Sequence, residues 1–210
     1  MIKKIKTFLK LEKNTTETID VFKQIDDMYD SLDTENICIE LGSDIVIFNE
    51  TIRTCIDKFR KSIKNKYGFV LPAIKVIDNN YLQENEIKIR LENKPVVQLF
   101  LIPSEEKITN EFKDNLDKLF FNHIDKIFTC RIMERYVKLV QKKNSYLIWN
   151  LTNTYSIVEL KNIFIELLKN KKSIKNVSYI MEQIGEISLA NGLPYHKEPR
   201  KITNELLKIL

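Results

Sequence analysis

The stretch Gly68 to Ile89, GFVLPAIKVIDNNYLQENEIKI, places a glycine, a proline and an Asp-Asn-Asn turn inside a chain with only four glycines and five prolines in 210 residues. Ahead of it, Ile52, Cys55, Ile56, Phe59, Ile63 and Tyr67 recur at helical spacing, with Asn49 placed to cap the start. Gly68 sits where that helix needs a residue tolerant of positive φ to stop. The chain then leaves as the extended segment FVLPAIKVI. Pro72 has no backbone donor and suits the beginning or the free side of a strand. Asp78-Asn79-Asn80 makes the turn. EIKIRLE alternates Ile87, Ile89 and Leu91 against Lys88, Arg90 and Glu92, and Asn93-Lys94 leads into the strand PVVQLFL.

Upstream, ICIEL alternates Ile37, Ile39 and Leu41 and predicts a half-buried strand, which Gly42-Ser43 turns into a second strand, DIVIF. Residues 35–103 thus read as β-β-α-β-β-β. Before them, residues 1–34 form a basic, weakly amphipathic arm and a helix carrying Ile19, Phe22, Ile25, Tyr29 and Leu32, capped by Thr15 or Thr16.

After Leu101 the apolar period changes to that of helices, which continue to the end of the chain, so residues 104–210 are expected to be all-helical. The first helix runs from about Ser104 to Lys143, with room for one break, and turns Phe112, Leu116, Leu119, Phe120, Ile124, Ile127, Ile132, Tyr136 and Leu139 inward. The short apolar piece YLIWNL follows. Ser156 and Glu159 then make a capping box for a helix ending near Asn170. Ser173 is placed to cap the next helix, through Ile180 and Ile184 to about Ala190. Gly192, Pro194 and Pro199 mark a loop before a last short helix. The fold class is α+β, a small mixed subdomain followed by a helical one.

Composition bounds the function. With 43% hydrophobic and 30% charged residues, the chain can bury a sizeable core. The net charge of +5 comes from 34 basic and 29 acidic residues, interleaved rather than clustered, which argues against a nucleic-acid partner. Cys38, Cys55 and Cys130 are widely separated and only His123 and His196 could join them, so they read as reduced, mostly buried thiols with no metal. The absence of a long apolar run and of a secretory leader predicts a cytoplasmic protein.

Catalytic patterns are missing. No G-x-S-x-G, H-E-x-x-H or glycine-rich phosphate loop occurs. Cys130 and His123 fall two turns apart on a predicted helix, but nothing marks an oxyanion hole beside them. Asp78, Glu84 and Glu86 form no carboxylate cluster, because strand alternation and turn duties separate them. Trp149 and Tyr155 read as core or interface residues. No enzyme activity, cofactor or small-molecule substrate is expected.

The stretch from Gly68 to Asn93 resembles the signature of the FHIPEP family, the large export-gate subunit of flagellar and type III secretion systems, through Gly68, Pro72, Ile74, Asp78, Asn79, Leu82, Asn85, Glu86, Ile89 and Leu91. Glu40, Leu41 and Gly42 are similar to the family's L-E-L-G-Y strand. LLKNKKSIKNVSYIMEQIGE, from Leu167 to Glu186, resembles a second, helical motif of the family through Ser173 and Ile174. This sequence departs from the family pattern at Ile77, Asn80, Glu84 and Asn93, which stand for an arginine, an apolar residue, a proline and a glycine. The family's membrane domain, an inserted subdomain that helps form a dimple for substrate-chaperone complexes, and a final strand-rich subdomain have no counterpart in these residues.

The resemblance implies a non-enzymatic protein-interaction and assembly module with protein partners, among them export-apparatus components, and self-association as in the family's nine-membered ring. Its family-motif residues are Glu40, Gly42, Gly68, Pro72, Asp78, Asn79, Asn85, Glu86, Ser173 and Ile174. The alternative is nucleic-acid or anionic-membrane-surface binding through two basic patches, Met1 to Lys10 and Lys169 to Lys175, with steep salt dependence as its mark.

Overall fold

The computed structural model describes residues 37–190 and 199–210. The expected arm and helix of residues 1–34, the basic patch from Met1 to Lys10, and Gly192, Pro194 and His196 lie outside them. A four-stranded mixed sheet has the order β2-β1-β3-β4. Its strands are β1 (Ile37–Leu41), β2 (Ile74–Asp78), β3 (Glu86–Leu91) and β4 (Lys94–Phe100). β1 pairs parallel with β2, starting at Ile37↔Ile74, and antiparallel with β3, starting at Ile37↔Leu91.

The segment DIVIF is not the strand the sequence suggests. It contains the one-turn helix α1 (Ser43–Val46). Both edges of β1 are already taken, by β2 and β3, so a hairpin partner has no place to pair. Of the apparent alternation only Ile45 is buried, while Ile47 is 78% exposed. β1 itself is buried at all five positions rather than half-buried, because its central place covers Cys38 and Glu40 as well as Ile37, Ile39 and Leu41.

Helix α2 (Asn49–Tyr67) buries the six predicted residues, Ile52 through Tyr67, and ends at Gly68 with φ +76°. Its start differs from expectation. Asn49 is the first helical residue and accepts from Arg53 Nε at 2.9 Å instead of capping. Pro72 lies two residues before β2, in a lead-in without ladder partners. Glu92 and Asn93 form the two-residue turn between β3 and β4 with φ of 49° and 63°. This left-handed backbone explains how asparagine serves where the family signature has glycine. β4 is an edge strand, where Pro95 is tolerated opposite Arg90 beside a register shift at Ile89/Arg90.

The remaining described elements are helices, as predicted: α3 (Glu105–Asn122), α4 (Ile124–Ile127), α5 (Cys130–Gln141), α6 (Ser145–Thr154), α7 (Ile157–Lys169), α8 (Val177–Ala190) and α9 (Pro199–Ile209). The expected long helix breaks twice, at His123 and at Phe128-Thr129. Thr129 starts a new helix by accepting from the Ile132 N–H at 3.4 Å, a local competition that apolar spacing does not reveal. Leu139, expected inward, is 57% exposed. YLIWNL belongs to α6, capped by Asn144.

The Ser156–Glu159 capping box is present, with both reciprocal bonds formed. Ser173, by contrast, does not cap α8. Its Oγ accepts from the Lys175 N–H at 3.3 Å, while Asn176 Oδ1 accepts from the Tyr179 N–H at 3.2 Å. Pro199 opens α9 as its first residue, where the missing N–H is harmless. One contiguous apolar core runs from Ile37 to Leu206.

Candidate functional site

Most of the family-motif residues gather in two places. The first is a polar knot at the C-terminal end of β1. Glu40 points to the face of the sheet opposite Ile39 and Leu41. One of its oxygens lies 2.7 Å from Arg90 Nε and the other accepts from Asn79 Nδ2 at 2.9 Å. Asn79 also donates its N–H to Leu41 O at 2.9 Å and accepts from the Tyr81 N–H at 2.9 Å. A single asparagine therefore closes the turn after β2, continues the sheet and ties down a buried carboxylate.

Gly42 completes the knot. Its N–H donates to Glu86 O at 2.8 Å, and the Asp44 N–H donates to Glu84 O at 2.8 Å. A Cβ at position 42 would lie 2.0 Å from Gln83 O and 2.7 Å from Glu84 O. The loop before β3 thus presses directly on this glycine. Glu86 is 3% exposed, and its carboxylate accepts from the Gln83 N–H at 3.1 Å and Gln98 Nε2 at 2.9 Å, with Lys88 Nζ at 3.2 Å. Burial alone would raise its pKa. The Gln83 N–H, Lys88 and Gln98 outweigh that, and the net shift is downward. Asn85 contributes its carbonyl to the Leu101 N–H at 3.0 Å.

The second gathering is a seam between α2 and the α7–α8 connection. The Ile174 N–H donates to Tyr67 O at 2.7 Å. A Cβ on Gly68 would meet Lys175 Cα at 2.6 Å. Gly68 is thus required twice, for its left-handed backbone and for this close approach. Ile174 is fully buried. Tyr136 on α5 locks the same place: its hydroxyl donates to Gly68 O at 3.2 Å and accepts from the Val70 N–H at 3.4 Å. Burial raises the Tyr136 phenol, against a smaller opposite pull from Val70. Phe69 fills the adjoining core, with ring centroids 5.2 Å from Phe128 and 5.6 Å from Phe120.

Other predicted candidates are dispersed. Asp78, at the end of β2, and Glu84 are exposed, so they form no carboxylate cluster with Glu86. His123 stands between α3 and α4 and Cys130 opens α5, so the single helical face that would align them does not exist. Among the described residues, no group of three His, Cys, Asp or Glu side chains is placed to hold a metal. The three cysteines form no disulfide, with Cys38 and Cys55 buried and Cys130 half-buried. Tyr155 is buried and bonded to Ser188. Trp149 is 62% exposed and stacks on Tyr146 with centroids 6.3 Å apart.

Sequence reasoning missed Arg90, Gln98 and Tyr136 as partners of the motif residues. Cross-strand register, which pairs Glu40 with Lys88 and Cys38 with Arg90, could have suggested Arg90. Nothing in the spacing distinguishes the hydroxyl of Tyr136 from an ordinary core ring.

Residues 3–114 match the FHIPEP family, just over half of the 210-residue chain, and the chain belongs to that family. Its fold is shared with solved structures of low identity. The Chlamydia pneumoniae CdsV protein matches with a TM-score of 0.68 and 17% identity, covering 81% of this chain and 63% of that one. The Shigella flexneri MxiA protein gives 0.60 and 17%, covering 80% and 60%. The nonameric EPEC SctV-C gives 0.65 and 14%, covering 81% and 63%. The chain therefore spans less than two thirds of the length of each. No curated protein sequence matches it. No described helix is long and apolar enough to cross a membrane.

Proposed function

We propose that this chain is a non-enzymatic interaction and assembly module of the export-gate kind, working in the cytoplasm in protein export or in a complex derived from it. Residues 35–103 and 104–210 act in it as a mixed and a helical subdomain joined at the Gly68 seam. The observation that carries the reading is the fate of the motif residues. Glu40, Gly42, Asn79, Asn85 and Glu86 bond to one another or to neighbouring backbone, and Gly68 and Ile174 meet at the seam. The signature thus maintains a shape, and shape is what an assembling subunit presents to its neighbours.

Two structural relatives bear on assembly. SctV-C is described as nonameric, and the Chlamydia pneumoniae CdsV protein is described in complex with CdsO. By analogy, copies of this chain associate side by side and dock a protein partner. Light scattering on chromatographed protein over a concentration series tests the assembly. A mass that climbs above the monomer as concentration rises is expected, and a strictly monomeric chain at the highest concentration would overturn it.

A further inference from the structure

The hairpin of α5 and α6 carries an exposed surface that neither the motif residues nor the core uses. From Arg135 to Val158 the sequence holds four basic residues, Arg135, Lys138, Lys142 and Lys143, and no acidic one. Among the described residues Lys138, Lys142 and Lys143 have no carboxylate partner, whereas Lys169 and Lys208 are paired with Glu166 at 3.0 Å and Glu205 at 2.7 Å. Every residue from Gln141 to Tyr146, at the bend of the hairpin, is exposed. Apolar side chains stand among these lysines: Leu139 is 57% exposed, Tyr146 73% and Trp149 62%.

The patch stands on a fixed base. Ile148 and Leu151 anchor α6 in the core, and a Cβ on Gly185 of α8 would lie 3.9 Å from both Leu147 Cδ1 and Leu151 Cδ2. Asn144 Oδ1 accepts from the Leu147 N–H at 3.0 Å and caps the helix. Tyr146 and Trp149, three positions apart, share the outer face of α6, with ring centroids 6.3 Å apart and planes 21° from parallel. Leu139 lies three and four positions before Lys142 and Lys143, and Lys142 keeps a helical backbone, so these side chains line up in the same way.

Unpaired ammonium groups beside an exposed tryptophan, tyrosine and leucine suit a boundary between water and hydrocarbon. The ammonium groups take lipid phosphates and carboxylates, and the rings settle at the depth of the headgroups. A nucleic-acid strand would use the rings and the lysines but not the leucine, and it needs a longer basic track. We infer that the α5–α6 hairpin is an adsorption surface for an anionic lipid bilayer, touched through Leu139, Tyr146 and Trp149, with Lys138, Lys142 and Lys143 at the headgroups. No described helix is long and apolar enough to cross a membrane, so this contact is interfacial and reversible. It is independent of the assembly reading and separate from the Lys169 to Lys175 patch.

Trp149 is the chain's single tryptophan, so its emission reports on this surface directly. The full chain is mixed with vesicles of phosphatidylcholine alone or of phosphatidylcholine with phosphatidylserine. Only the anionic vesicles should shift Trp149 emission to the blue and shield it from acrylamide, and brominated acyl chains should quench it. An ionic strength of about 1 M, where the Debye length is near 3 Å, should release the chain. Lys138→Gln, Lys142→Gln and Lys143→Gln together should weaken co-sedimentation with anionic vesicles on the order of a hundredfold. Tyr146→Ser should weaken it as well, while Lys171→Gln with Lys172→Gln should leave it unchanged. Emission unmoved by anionic vesicles would overturn the assignment, as would a loss from the Lys171 and Lys172 pair equal to that of the triple variant. So would the same shift produced without lipid, by a single-stranded oligonucleotide or by raising the protein concentration, when vesicles produce none.

Discussion

A methyl group on Gly42 would stand 2.0 Å from the Gln83 carbonyl oxygen, although the backbone there, at φ −71° and ψ 163°, is open to any residue. Gly68 fails for both reasons, with φ +76° and a Cβ 2.6 Å from Lys175 Cα. The left-handed backbone alone disfavours a side chain by about 1–2 kcal/mol. Gly68→Ala is therefore expected to destabilise by about 2 kcal/mol or more, measured by urea denaturation. Gly42→Ala should also destabilise, through displacement of the β3 lead-in loop. A Gly68→Asn variant, which relieves the φ penalty but keeps the clash, should recover only part of the loss. The sequence alone marked Gly68 as a helix stop, because helix termination leaves a local pattern. That Lys175 presses on it is a contact between distant segments, and no local pattern records it.

Glu86 carries the pH dependence at this scale. Its folded pKa lies below its unfolded value, so its contribution to stability is fully present above the unfolded carboxylate range. That contribution drains away as pH falls through the lowered value. Urea denaturation from neutral pH down to about pH 3 should show wild type losing more stability on acidification than Glu86→Gln. Parallel curves for the two proteins would contradict the assignment. The identity of Glu86 as a motif residue was legible by resemblance. Its partner Gln98, across the β3–β4 hairpin, emerges only once the register is known.

At the scale of elements, periodicity located nearly every helix and strand and misjudged where neighbours decide. Ile45 and Ile47 alternate as a strand would, yet a sheet whose central strand already has two partners cannot admit a third. The helix expected from Ser104 to Lys143 keeps its apolar period across two breaks, because core-facing residues on successive short helices reproduce the spacing of one long one. Ser173 and Asn176 are both plausible caps by type; the Ser173 hydroxyl is taken by the Lys175 N–H in the stretch that the Ile174–Tyr67 bond ties to α2, and Asn176 caps the helix. Tyr136 shows an element joined by one side chain: α5 meets the α2 exit through a hydroxyl bonded to Gly68 O and the Val70 N–H. Removing it in Tyr136→Phe should lower stability by about 1 kcal/mol in a denaturant titration and speed amide exchange at Val70. An unchanged Val70 exchange rate would argue that the bond is dispensable.

For the whole molecule, the sheet and the helices share one apolar core, in which Phe59, Phe69, Phe120, Phe128, Phe164 and Tyr136 form a connected run of rings. The two family motifs, about a hundred residues apart in sequence, close on each other at the seam. This explains how a chain spanning less than two thirds of its structural relatives still keeps their arrangement over the part it has. The central claim, that these motifs lock sheet and helices into one unit, is tested most directly by native-state hydrogen exchange at the Ile174 amide. Protection of Ile174 comparable to that of Ile39 in β1, with both falling together in Gly68→Ala, is the result this account predicts. Exchange at Ile174 as fast as an exposed loop while Ile39 stays protected would contradict it.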